Sequence, residues 1–174
     1  YDGKISNDGQ FVNKSTFKSF DRLVLEEQIE SKGDYSGFTK INLSEVSLEI
    51  SSCAINKTFT KGENAIYIPK IRKSNVISDI KNIDTKHHDF FKVELDKKRI
   101  IKEYAMYFLN TDKGVAYLNL LKEGMTIMAL SSKSISELPI FLPELKEQKE
   151  LVKASKHLDK LLDELKNLKA NLAY

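Results

Sequence analysis

Two stretches of this sequence hold residue types that do chemistry at close spacing. Asp84, Glu94 and Asp96-Lys97-Lys98 combine carboxylates with lysine, the set that holds Mg2+ and orients a water in metal-dependent nucleases. Such a centre wants the acid and the lysine two apart within one strand. Here Asp96 and Lys98 fall where a strand should exit into a charged turn, so a nuclease is the least favoured reading. The second stretch, Lys70-Ile71-Arg72-Lys73-Ser74-Asn75, offers cations for phosphate together with groups that read base edges. Arg72 suits guanine and Asn75 suits adenine. Lys81 to His88 is a further candidate, in which Lys86 and His87 could meet a phosphate or a base edge. His87 and His88 are adjacent and would point to opposite faces of a strand, so they cannot chelate one ion together.

Other chemistry is missing its signatures. With Pro only at 69, 139 and 143, no Asn/Asp-Pro-Pro-aromatic methyltransferase motif can be written, and neither a GxxxxGK[ST] nor a GxGxxG loop occurs. No Ser/His/Asp constellation is visible, and His157 falls on a long helical segment. No catalytic, metal or cofactor site is therefore expected in this chain. Cys53 is the single cysteine; it cannot form an internal disulfide and reads as a core residue.

The formal charge of +3 is mildly basic and does not by itself prove a nucleic-acid partner. The cations are 25 Lys against three Arg, solvated point charges in place of planar forks. At 41% apolar and 30% charged, the 174 residues suit one ordinary domain with an appendage. No run approaches the roughly 18 consecutive apolar residues of a membrane span. Tyr1-Asp2-Gly3-Lys4 has no apolar signal core, so a cytoplasmic location without a membrane partner is expected.

The elements that must position these residues change character along the chain. Residues 1–14 read as turns or a linker, and residues 15–31 as a helix with Ser15 as cap and Gly33 as stop. From Ile41 to Leu95 the period shifts toward two, which predicts strands at Ile41–Leu43, Val46–Ile50, Ala65–Ile68, Asn75–Ile77 and Phe90–Leu95. Pro69 has no N–H to give and should end its strand or sit on a sheet edge. Ile101, Tyr104, Ala105 and Phe108 predict one helical face and Val115, Leu118 and Leu121 another, punctuated by Gly114 and Gly124. A buried strand at Thr126–Leu130 and a short apolar run at Leu138–Leu142 follow.

Residues 144–172 contain no Gly or Pro, and Leu151, Leu158, Leu165 and Leu172 recur at every seventh position. Ala154, Leu161 and Leu168 fall three residues after the first three of them, which makes an a/d heptad pattern. A helix of that length spans about 44 Å, more than a domain this size needs for its own core. Leu151, Leu158, Leu161, Leu165, Leu168 and Leu172 are therefore expected to face another long helix. The competing expectation is a helix folded back on residues 15–31.

The run from Tyr104 to Leu151 resembles the target-recognition domain of specificity subunits in type I restriction-modification systems. The resemblance rests on a helix ending near Asn110-Thr111, a second helix after Gly114, and Gly124 and Ile127 entering a strand. Its most specific piece is the closing Leu138-Pro139-Ile140-Phe141-Leu142-Pro143-x-Leu145-x-Glu147-Gln148-Lys149, which leads into the leucine heptads. Ile41 to Val46 and Asn64-Ala65-Ile66-Tyr67-Ile68-Pro69-Lys70 are similar to the early strands of such domains. The resemblance implies an α+β fold, a mixed recognition domain with a small twisted sheet and flanking helices, followed by one long coiled-coil-like helix. It also implies a division into an N-terminal linker and helix (1–40), a recognition domain (41–143) and a spacer helix (144–174).

By the same resemblance the partners are double-stranded DNA, methyltransferase and restriction subunits or domains, and a second recognition domain or a second copy met through the long helix. S-adenosylmethionine and Mg2+ would belong to those partners or to a catalytic region outside this chain, and the methylated atom would be adenine N6. Full specificity subunits carry two recognition domains and two spacer helices. One of each here, with Tyr in place of Met at the start, leaves open a half-subunit, a fragment of a two-domain subunit or the C-terminal part of a fused enzyme. A pure protein-assembly module with no DNA contact is the alternative.

Overall fold

The computed structural model describes residues 20–71, 75–83, 86–123 and 127–171. The chain divides into two compact units, residues 1–34 and 35–174. The described part of the first is α1 (Phe20–Glu30), whose end is closed by the Ser31 hydroxyl donating to Gln28 C=O at 2.8 Å. Gly33 follows at φ 71°, a left-handed conformation that suits glycine, so the predicted stop is where the chain turns. The predicted cap, Ser15, lies outside the described residues.

The second unit is α+β. It runs β1 (Thr39–Asn42), β2 (Ser47–Ser52), β3 (Ala65–Pro69), β4 (Phe90–Leu95), α2 (Lys102–Leu109), α3 (Asp112–Leu120), α4 (Ser132–Ser136), β5 (Pro139–Leu142) and α5 (Leu145–Asn171). Strands β2, β4 and β3 form one antiparallel sheet with β4 in the middle, while β1 pairs with β5 in a separate antiparallel ribbon. Val93 stands opposite both Ile50 and Ile66, and Phe91 opposite both Ser52 and Ile68. The central strand's Val93 is fully buried, as are Ile66 and Ile68. Pro69 closes β3 opposite Phe90, where its missing N–H costs no ladder bond.

Two predicted strands are smaller than expected. Asn75–Ile77 contributes a single bridge, Tyr67 to Ile77; of the expected Thr126–Leu130 strand, Thr126 lies outside the described residues and Ala129 makes one bridge, to Glu123. Between β1 and β2 the chain makes a 3-10 turn, Leu43–Val46, that buries Leu43 and Val46. Cys53, expected in the core, is only half-buried, because β2 has already ended and the chain is leaving the sheet.

Helix α2 is the hub, packed on α3, β3, β5 and the first turns of α5. Tyr104, Ala105, Phe108 and Leu109 are its buried face, and the Tyr104 hydroxyl donates to Phe141 C=O in β5. Gly114 does not separate two helices as the sequence suggests. It lies in the first turn of α3, which begins at the Thr111 cap, whose hydroxyl oxygen accepts the Gly114 N–H at 3.2 Å. A Cβ there would come within 2.3 Å of Phe108 O and 2.6 Å of Leu109 Cα, so only glycine lets α3 turn this tightly against the end of α2.

Candidate nucleic-acid interface and its supporting arm

Because the three-stranded sheet is antiparallel, β2 and β3 finish at the end where β4 begins. Lys70, the first residue beyond β3, gathers the segments that leave this end. Its N–H donates to Asp89 C=O at 2.8 Å, and its own C=O accepts the Leu130 N–H at 2.9 Å. Its ammonium donates to Ser52 Oγ at 2.6 Å and stands 4.9 Å from the Phe91 ring centroid. Lys70, which opens the first candidate reading stretch, is thereby bonded to Asp89, the residue after the second, and to Leu130.

Arg72 and Lys73 lie outside the described residues. Asn75 is exposed, on the rim of a cleft of about 440 Å³ that Glu103, Tyr107, Lys156 and Asp159 also line. The backbone beside it is fixed. Asn110 Oδ1 accepts the Val76 N–H at 2.8 Å while its Nδ2 donates to Val76 C=O at 2.9 Å, imitating a strand partner. Ile77 and Tyr67 exchange both backbone bonds, at 2.8 and 3.1 Å. Lys70 and Val76, the residues that flank Ile71 and Asn75, are thus each held by hydrogen bonds.

Lys86 is exposed, but His87 is placed differently from the expectation. A 3-10 turn, His87–Asp89, rotates the imidazole inward, where it is buried with its Nδ1 accepting the Phe59 N–H at 3.1 Å. Its ring lies 5.7 Å from that of Phe59. His87 is a packing residue that ties the loop after β2 to the start of β4, and a direct base contact is assigned away from it. His88 Nε2 is 3.4 Å from Asp89 Oδ1.

Two of the carboxylates that suggested a nuclease accept backbone N–H groups. Glu94 Oε1 accepts the Asn64 N–H at 2.9 Å, and Asp96 Oδ1 accepts the Lys98 N–H at 2.9 Å within the turn that leaves β4. Asp84 lies outside the described residues. Among the described residues no three His, Cys, Asp or Glu side chains are grouped to hold a metal ion.

The root of α5 accounts for the most distinctive piece of the sequence. Gln148 is wholly buried; its Nε2 donates to Arg99 C=O and to Pro143 C=O, both at 2.9 Å, and its Oε1 accepts the Ile101 N–H at 3.0 Å. Asn64 does the same from the other side, donating to Leu95 and Ile100 C=O at 3.1 and 2.9 Å and accepting the Lys102 N–H at 2.9 Å. Each amide uses both donor hydrogens and its oxygen, so neither can be flipped without losing every bond. Val152, one turn after Gln148, is the last buried residue of the helix.

Beyond Ser155 every described residue of α5 is exposed. Leu158, Leu161, Leu165 and Leu168 are 59%, 40%, 61% and 59% exposed, whereas Leu151 is half-buried at the root. Leu172 lies outside the described residues. The type I restriction modification DNA specificity domain family matches residues 11–173. This chain belongs to that family. No curated protein matches it. The specificity domain serves DNA sequence specificity in type I restriction-modification systems. Among its described residues, no helix is long and apolar enough to cross a membrane.

Three features of this specificity domain escaped the sequence reading. Leu162, 53% exposed, belongs to the α5 stripe four residues after Leu158. Ile127 and Met128 are 63% and 51% exposed, although a buried strand was expected there. Their adjacency was the available signal, since in a strand one of the two must face outward. Gln148 gave only a family-like motif, because a buried amide has no signature in composition or period.

Proposed function

We propose that the end of the sheet centred on Lys70 lies against duplex DNA and that α5 is the arm that joins this reading head to the rest of a modification complex. Lys70, Lys73 and Lys86 position the phosphate backbone, while Arg72 and Asn75 read base edges. The arm pairs through Leu158, Leu161, Leu165 and Leu168, with Leu151 and Leu172 at its limits, against the long helix of a second recognition domain or a second copy. Methyl transfer to adenine N6 and cleavage belong to the methyltransferase and restriction partners, which bring S-adenosylmethionine and Mg2+. The chain acts in recognition, not in bond making.

The convergence of the segments on Lys70 is what carries this reading. Sequence readout needs side chains held on loops whose ends cannot drift, and the bonds of Lys70 with Asp89 and Leu130, of Asn110 with Val76 and of Tyr67 with Ile77 support that anchoring. A mild net charge of +3 implies a small counterion-release contribution, so tight binding is expected only when two heads are joined through the arms.

The test is a titration of the assembled complex with a duplex selected from a randomised pool and with a scrambled duplex, each at two salt concentrations. Lys70→Ala and Lys73→Ala should weaken both duplexes alike and flatten the salt slope. Arg72→Ala or Asn75→Ala should cost about 1–3 kcal/mol on the selected duplex only. Unchanged affinity in all four variants would place the DNA elsewhere on the domain.

A further inference from the structure

We infer that Ile127 and Met128 form a second base-reading element, one that recognises thymine by its 5-methyl group. The inference rests on the reading that DNA lies at the Lys70 end of the sheet. Glu123 and Ala129 exchange both backbone bonds, Glu123 N–H to Ala129 C=O at 2.8 Å and Ala129 N–H to Glu123 C=O at 2.9 Å. One residue later, Leu130 is buried and donates its N–H to Lys70 C=O. The backbone on the C-terminal side of Ile127 and Met128 is therefore held at Ala129 and Leu130, and Leu130 is bonded to Lys70.

On this fixed base the two apolar side chains are turned out to solvent, 63% and 51% exposed, and Ile71, next to Lys70, is 47% exposed. All three fall within three residues of the Lys70–Leu130 hydrogen bond. Large apolar side chains exposed within three residues of one anchored point add nothing to the core and are available to a binding partner. Duplex DNA is the occupant that continuity favours. The hydrogen bond from Leu130 to Lys70 ties the segment that carries Ile127 and Met128 to the residue proposed to face DNA.

The chemistry also completes the code. Lysine, arginine and asparagine satisfy phosphates and the polar base edges of the major groove, but the thymine methyl is the one edge group that calls for an apolar partner. The polar stretch from Lys70 to Asn75 has only Ile71 to offer it. Ile127 and Met128 supply the remainder.

The experiment compares the assembled complex with its Ile127→Ser/Met128→Ser variant on a duplex selected from a randomised pool. The same duplex is also used with deoxyuridine replacing every thymidine, which removes the methyl groups and nothing else. The variant should lose about tenfold in affinity on the thymidine duplex and less than about twofold on the deoxyuridine duplex, with an unchanged melting temperature. An equal loss on both duplexes overturns the inference, as does no loss on either. A variant complex that dissociates in light scattering would show a protein partner on this surface and would overturn it as well. Lys70→Ala, run in parallel, separates the two readings: if it leaves every duplex affinity unchanged, DNA does not lie at this end of the sheet. If it weakens all duplexes while the double variant binds as the parent does, DNA is there and only the methyl contact fails.

Discussion

Gln148 and Asn64 accept hydrogen bonds from consecutive backbone N–H groups, those of Ile101 at 3.0 Å and Lys102 at 2.9 Å. The first N–H groups of a helix have no partner within it, and here two amides from distant parts of the chain satisfy them. Asn64 precedes β3, the strand that leads to Lys70, and Gln148 begins the arm. The two ends of the molecule's proposed work are thus referred to the same turn of backbone, so the direction of the arm is fixed relative to the reading head.

Replacing Gln148 with Leu should therefore do more than remove one contact. It leaves Ile101 N–H, Arg99 C=O and Pro143 C=O to find water in a partly buried place, and an unsatisfied buried group costs about 1–3 kcal/mol. A net loss of about 2 kcal/mol is expected in urea unfolding, with the Asn64→Leu variant similarly affected. Because both amides act on one turn, the double variant should lose less than the sum of the two single losses.

Gly114→Ala tests the α2–α3 corner. The added methyl meets the Phe108 carbonyl and the Leu109 backbone, neither of which can swing aside as a flexible side chain does. The gain in helix propensity from Gly to Ala is about 1 kcal/mol, and forced overpacking costs about 1–3 kcal/mol. A net destabilisation is expected, read as a lower urea midpoint, and a stabilised variant would mean that the corner relaxes freely.

How much of this was legible beforehand differs by physical cause. The long helix, the heptads and the strands at 65–69 and 90–95 follow from periodicity and composition, which act locally. Gly33 and Pro69 act locally too, and their stops fall where expected. The inward turn of His87 depends on Phe59, and the exposure of Ile127 and Met128 comes with a segment held instead through Ala129 and Leu130, long-range bonds that no local pattern announces. Gln148 belongs to the same class: its residue type is polar, its place is the core, and only three backbone partners from 99, 101 and 143 reconcile the two. Of the proposed site, the sequence marked the polar reading stretch but not the apolar one beside it.

Burial pushes the Tyr104 hydroxyl well above its ordinary value of 10.0, with nearby Tyr35, Tyr107 and Glu147 adding in the same direction. Burial raises Tyr67 and Tyr35 as well. A group whose pKa is raised on folding keeps its proton in the native state after the unfolded chain has lost it, so stability falls as pH rises above 10.0. Thermal melts should show a steep alkaline decline. Tyr104→Phe loses the bond to Phe141 C=O and about 1 kcal/mol at neutral pH, yet its decline above pH 10.0 should be shallower. An equally steep decline in the variant would assign the alkaline sensitivity to other groups.

The arm makes the sharpest demand on the proposed assembly. Leu158 and Leu165 stand seven residues apart on a helix whose described residues are all exposed after Ser155, and the ion pairs there, such as Lys160–Glu164 at 3.8 Å, are surface pairs worth little. Nothing at the root depends on those leucines, because Gln148 and Val152 are already buried where α5 meets the rest of its unit. Burying one leucine contributes about 1.5–3 kcal/mol, so Leu158→Asp with Leu165→Asp should weaken helix–helix association by at least roughly a hundredfold. Static light scattering should then find a smaller species at concentrations where the parent chain is assembled, and the melting temperature of the dissociated variant should match that of the parent chain diluted to a monomer. If the parent chain is already a monomer and the double variant unfolds, the leucines are packed within this chain and the arm is part of its own core. If the parent is a monomer and the variant melts as it does, the second helix must come from a different recognition domain, and co-purification with that domain should be lost in the variant.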